Sequence, residues 1–172
     1  MEKIVLVGYM GSGKSLIATL LEGILGWERF ELDDLIEKSE NISISEIFET
    51  KGELYFRKLE KKIFDELMLL NRNIIISTGG GTPCYFENYK SLQNEKIISI
   101  YLKASIETLI SRIENEIQKR PMLNNLNKSE LEEFIAKHLF ERSYYYLKCK
   151  FKINVDFKSP KEIADEVISI LA

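Results

Sequence analysis

Apolar positions fall in two alternating rhythms along the chain. Residues 3–7 (Lys-Ile-Val-Leu-Val) are a β-branched apolar run that stops at a glycine, and residues 15–25 then set Leu16, Ile17, Leu20, Leu21 and Ile24 on a helical period. The order is strand, loop, helix. Short apolar runs recur at 30–32, 74–76, 97–102 and 151–155, separated by segments of helical character such as 59–70 and 161–171. This alternation predicts an α/β protein with a mostly parallel sheet covered by helices on both faces. Between 113 and 128 the pattern fails. Charged and amide residues dominate there, apart from Pro121, Met122 and Leu123, so a mobile loop or lid is expected, although an ordinary surface loop fits the composition nearly as well.

Composition narrows the classes without naming one. A chain of 172 residues with no linker, repeat or low-complexity tract is expected to be a single domain, 1–172, able to bury a full core. The net charge is only -3 and basic residues are interleaved with acidic ones, so no nucleic-acid partner is expected and phosphate binding must come from a local site. The apolar stretch after Met1 is too short for a membrane span or a cleavable leader, and a cytoplasmic protein starting near Met1 is expected. Cys84 and Cys149 form no metal-ligand or redox pattern, and a histidine-based site would rest on His138 alone.

Chemistry enters between the first strand and the first helix. Gly8-Tyr9-Met10-Gly11-Ser12-Gly13-Lys14-Ser15 matches the G-x-x-x-x-G-K-[ST] phosphate-binding loop, in the context that gives the motif its meaning. Glycines let successive N–H groups point at phosphate oxygens, and the helix that starts near Lys14 adds its positive end. Lys14 can reach the β- and γ-phosphates, and the Ser15 hydroxyl can ligate a bridging Mg²⁺. A turn that merely joined strand to helix would need no Lys-Ser pair.

A phosphate cradle does not say where the phosphoryl group goes. Glu31-Leu32-Asp33-Asp34 falls at the end of the second strand, where doubly wound sheets place ligand groups, and strand alternation would set Glu31 and Asp33 on one side. One carboxylate could take a hydroxyl proton and another could hold Mg²⁺ through water, but acids at a helix start also serve as caps. Gly52 to Glu60 opens an amphipathic helix with Arg57 at the border of its apolar stripe, where an arginine can snorkel, pair with an acid, or bind a substrate carboxylate. Gly79, Gly80 and Gly81 follow the third strand, which suggests a ligand or another backbone packed closely against the chain, although a flexible turn would also use them. Arg120 lies in the suspected lid and Arg142 near the end of a late helix. Asn127-Lys128-Ser129-Glu130 is superficially like a guanine-reading motif, but its last residue is Glu and no Asp-x-x-Gly switch precedes it.

Taken in order, these segments resemble shikimate kinase over essentially the whole chain. The resemblance rests on Gly8 to Ser15, Glu31-Leu32-Asp33, Gly52 to Glu60, Gly79 to Gly81, Arg120 to Leu123, and Arg142 to Tyr146. It implies a nucleoside-monophosphate-kinase-like P-loop fold: a three-layer sandwich with a five-stranded parallel sheet, a substrate-binding region at 31–60, and a mobile lid at 113–128. It further implies ATP-dependent phosphorylation of the 3-hydroxyl of shikimate, with Mg²⁺ as cofactor and shikimate and ATP as the small-molecule partners of a monomer. The catalytic pair would be Lys14 and Asp33. ATP would be bound by Gly11, Ser12, Gly13, Lys14, Ser15, Leu16, Arg112, Arg120 and Lys158. Shikimate would be bound by Asp33, Arg57, Gly79, Gly80, Gly81 and Arg142, and the metal by Ser15 and Glu31. Two segments depart from the family pattern: Glu31 stands where the family has Asp, and the segment around Lys158 to Pro160 is short. A gluconate-kinase-like enzyme would share the loop and the early acids without needing both arginines. A non-catalytic nucleotide-binding module would follow if Glu31 disabled the metal site.

Overall fold

The computed structural model describes residues 2–114 and 127–171. Strand β1 (Lys3–Val7) is buried along its whole length, so both of its faces are covered. An uninterrupted aliphatic run in place of an alternating one is what such a position requires. The same holds for β3 (Ile74–Ser77). With β2 (Glu28–Glu31), β4 (Ile97–Lys103) and β5 (Phe151–Asn154), they form a five-stranded sheet in the order β2-β3-β1-β4-β5. Every pairing is parallel.

The helices are α1 (Lys14–Leu25), α2 (Leu32–Glu40), α3 (Ile44–Lys51), α4 (Glu53–Leu69), a short α5 (Asn88–Ser91), α6 (Ile106–Glu114), α7 (Lys128–Tyr146) and α8 (Pro160–Leu171). Helix α1 packs on α8, α2 and α3 pack on α4, and α6 packs on α7. A core of aliphatic side chains from β1, β3 and β4 meets Ile17, Leu21, Ile63, Phe64, Leu109 and Ile163 from these helices. The parallel α/β architecture expected from the alternation is present, with the five strands that the resemblance implies. Strand β1 lies between β3 and β4, so the crossovers diverge on either side of it. The crevice at its carboxyl end, where the Gly-rich loop sits, is where such sheets bind ligands.

Local sequence explains the boundaries near the site. Gly13, at φ 98°, takes the left-handed turn that starts α1, and a side chain would strain there. Ser43 and Glu46 form a reciprocal capping box that starts α3. Asn127 and Glu130 do the same for α7, so the segment that looked like a guanine-reading motif is a helix start. At the acidic pair the structure corrects the strand reading. β2 ends at Glu31 and Leu32 already belongs to α2, so Asp33 projects from a helical first turn and not from a strand on Glu31's side by alternation. Glu31 is the N-cap, yet its side chain makes no capping bond. Of the expected lid, residues 115–126, including Arg120, lie outside the described residues.

Candidate active site

Residues Met10 to Ser15 of the loop line a cavity of about 600 Å³ together with Glu31, Asp33, Thr78, Gly79 and Gly80. Arg112, Leu16, Lys158, Pro160 and Ile163 line it as well. Lys14 Nζ donates to the carbonyls of Gly8 (2.8 Å) and Tyr9 (3.1 Å), folded back along the loop it serves. Ser12 Oγ is buried with no hydrogen-bond partner inside the protein, an orphan that a phosphate oxygen would satisfy. Arg112 Nη1 donates to Gly11 O at 3.1 Å, which lays its guanidinium across the loop. Lys158 is held by Glu166 at 2.5 Å. Ser15 Oγ donates to Glu31 Oε2 at 3.0 Å, and the other oxygen of that carboxylate accepts from Arg29 at 2.9 Å. A hydroxyl and a carboxylate thus meet at the end of the phosphate loop, and the longer Glu side chain reaches it.

The acceptor side is built around the triple glycine. A Cβ on Gly79 would lie 3.0 Å from Asp33 Oδ1 and 3.1 Å from Glu60 Oε1. On Gly80 it would lie 3.3 Å from Arg142 Nη1, and on Gly81 it would strike the Arg57 guanidinium at 2.6 Å. Bare backbone lets two arginines and two acids from α2, α4 and α7 converge on one strand end. The close approach expected at this run is by side chains of the site itself.

Arg57 does not snorkel. The residue is 8% exposed, its Nη1 donates to Glu60 Oε2 at 2.8 Å, and Tyr85 covers its face with the ring centroid 4.1 Å from Cζ. Its Nε is buried without a hydrogen bond, 3.5 Å from Glu53 Oε1. Burial works most strongly against its charge, but Glu60, Tyr85 and Glu53 together outweigh it and leave the guanidinium more firmly protonated than usual. Glu60 is wholly buried, and its second oxygen accepts from Thr82 Oγ1 at 2.7 Å. Asp33 stands in the cavity, open to water along one side and crowded by protein on the others. Desolvation, followed by repulsion from Glu60, pushes its carboxyl up to about 6, with Lys14 pulling the other way and Glu31 and Asp34 adding to the rise. Asp34, the neighbouring acid, is exposed and does not line the cavity.

Most of the site residues expected from sequence therefore meet in one place. Gly11 to Leu16, Glu31, Asp33, Gly79, Gly80, Arg112 and Lys158 line the cavity, while Arg57, Gly81 and Arg142 stand immediately behind the glycine run. Residue patterning missed Glu60, Thr82, Tyr85, and the pair Tyr9 and His138. Glu60 left one usable trace: an acid three residues after Arg57 on the buried side of α4, where an unpaired charge would be costly.

Comparison with known proteins agrees with this geometry. The family model described as shikimate kinase matches residues 10–172. A shikimate kinase of Flavobacterium johnsoniae is 51% identical over 172 residues, covering 100% of both chains. The crystal structure of shikimate kinase from Bacteroides thetaiotaomicron superposes with a TM-score of 0.91 at 29% identity, covering 99% of this chain and 98% of that one. The Acinetobacter baumannii shikimate kinase, solved in complex with shikimate, superposes at 0.88 with 27% identity, covering 99% and 93%. With the phosphate loop, the buried arginine and the carboxylate at the glycine run all in place, the chain belongs to the shikimate kinase family.

Proposed function

We propose that this protein transfers the γ-phosphoryl group of ATP to the 3-hydroxyl of shikimate, giving shikimate 3-phosphate and ADP, a step towards chorismate and the aromatic amino acids. The observation that carries the reading is the convergence of Arg57 and Arg142 on Gly79 to Gly81, beside Asp33 and next to the phosphate loop. Two guanidinium groups suit a planar carboxylate, and holding that end of the ring fixes which hydroxyl faces the γ-phosphate. Asp33 would accept the proton of that hydroxyl, and its raised pKa suits a base that must release the proton later. Lys14 would leave the loop carbonyls for the phosphates, and the loop N–H groups with Ser12 Oγ would cradle them. Ser15 and Glu31 would hold Mg²⁺, and the ion would supply positive charge to offset that of the phosphates. Arg112 and Lys158 line the nucleotide end of the cavity. Gluconate also carries a carboxylate, so it is the family model and the 51% identical shikimate kinase, and not the two arginines, that favour shikimate over it.

The test is ADP release in a coupled assay, with shikimate, gluconate and nucleoside monophosphates offered in parallel. Turnover above the ATPase background is expected with shikimate alone. A preference for another acceptor would overturn the substrate assignment.

A further inference from the structure

We propose that Tyr9, at the second position of the phosphate loop, is a positioning residue for Arg142, and that His138 acts on Arg142 through it. The proposal rests on the reading of Arg142 as half of the carboxylate clamp, and it concerns what aims that half. The two arginines are held by different means. Arg57 is fixed by an ion pair to buried Glu60, whereas Arg142 forms no ion pair among the described residues. Its guanidinium carbon instead lies 5.6 Å from the ring centroid of Tyr9, a cation–π contact with a side chain only 1% exposed. The Tyr146 hydroxyl, which donates to Gly80 O at 2.6 Å, accepts a side-chain hydrogen bond from Arg142 and holds it from the other side.

The Tyr9 ring is in turn held from α7. Its hydroxyl and His138 Nδ1 are 3.2 Å apart, and the two rings meet edge to face at 6.3 Å. The His138 ring packs at a tilt against Phe134, with their centroids 4.2 Å apart. Phe134, His138 and Arg142 follow each other at steps of four, so one ridge of α7 carries both the support for Tyr9 and the arginine that Tyr9 holds. Meanwhile the Tyr9 carbonyl accepts from Lys14 Nζ at 3.1 Å and from Ser12 N at 3.1 Å. A single residue of the loop therefore touches the phosphate-binding lysine through its backbone and the acceptor-binding arginine through its ring. Replacing the side chain should disturb the second role far more than the first.

The experiment is a double-mutant cycle on shikimate KM, read beside kcat and ATP KM. Tyr9→Leu is expected to raise shikimate KM about tenfold, with kcat and ATP KM within about threefold, the size expected for a desolvated cation–π contact. Tyr9→Phe keeps the ring but loses the hydroxyl contact with His138, so its rise in shikimate KM should match that of His138→Ala, about threefold, and stay below that of Tyr9→Leu. Arg142→Ala should raise shikimate KM by itself, and in that background Tyr9→Leu should add nothing, since a residue acting through Arg142 has nothing left to act on. His138→Ala should give about a threefold rise that likewise vanishes in the Arg142→Ala background, and this cycle decides the matter if Tyr9→Leu fails to fold. Equal penalties for Tyr9→Leu with and without Arg142, or a rise in ATP KM matching that for shikimate, would overturn the proposal. If Arg142→Ala itself left shikimate KM unchanged, the clamp would fall, and the positioning role with it. A raised KM in Arg142→Ala with no effect of Tyr9→Leu or His138→Ala removes the positioning role alone.

Discussion

At Asp33 one carboxyl joins stability, pH and catalysis. A folded-state pKa of about 6, raised from 3.8, means that the native protein holds this proton more tightly than the unfolded chain does. The stabilisation from this group is full below the unfolded value and lost as pH rises through about 6. Asp33→Asn should therefore raise the melting temperature of the ligand-free protein at pH 7 and leave it nearly unchanged at pH 4, as scanning calorimetry can test. The same change should lower kcat by about a hundredfold or more if the carboxylate is the general base, with ATP KM nearly unaltered. Asp34→Asn should do little, and an equal loss there would move the base to the next residue. The wild-type profile of kcat/KM for shikimate should carry an acid limb near pH 6, falling as pH drops because protonated Asp33 cannot accept a proton. Gly81→Ala probes the opposite wall. Its new methyl would strike the Arg57 guanidinium, which Glu60 fixes and Tyr85 covers, so the change should lower the melting temperature as well as raise shikimate KM about tenfold.

Individual elements divide into those that the chain specifies locally and those that neighbours complete. Helix α3 is of the first kind, started by the reciprocal bonds of Ser43 and Glu46 in a capping box. Ser43→Ala should cost about 1 kcal/mol in urea denaturation and leave turnover per folded molecule as it was, since the box lies outside the cavity. Helix α4 is of the second kind, because it buries Arg57 and Glu60 along with Phe56, Ile63, Phe64 and Leu67. Its apolar stripe is legible in the sequence, but the depth of Arg57 is not. Whether an arginine at the stripe's edge reaches water depends on what covers it, and here Tyr85 comes from a loop 28 positions later. The start of α2 is equally hard to read, because Glu31 to Asp34 has no glycine or proline to mark where strand gives way to helix.

Across the whole molecule, the parallel sheet gathers carboxyl ends of strands that are far apart in sequence. The phosphate loop after β1, Asp33 after β2 and the glycine run after β3 become neighbours, and α7 brings Arg142 from the far side. A ligand that fills this crevice bridges several elements at once and stabilises only the folded form. Mg²⁺-ADP with shikimate, each near a hundred times its dissociation constant, should each contribute about 2.7 kcal/mol and together raise the melting midpoint by about ten degrees or more. Chelating the metal with EDTA should remove most of the nucleotide's share while sparing shikimate's, if Ser15 and Glu31 hold the ion.

The chain by itself determined the phosphate loop and the strand and helix alternation, because each is written in contiguous residues or a short period. Tertiary structure alone decided that Glu60 is the buried partner of Arg57, that Asp33 is pushed towards neutral pH, and that Tyr9 lies between His138 and Arg142. These are facts of desolvation and of contact between segments up to 133 positions apart, as Tyr9 and Arg142 are. Spacing on α4 hints at the Arg57–Glu60 pair, but its burial and the other contacts exist only once the sheet has brought the strand ends together.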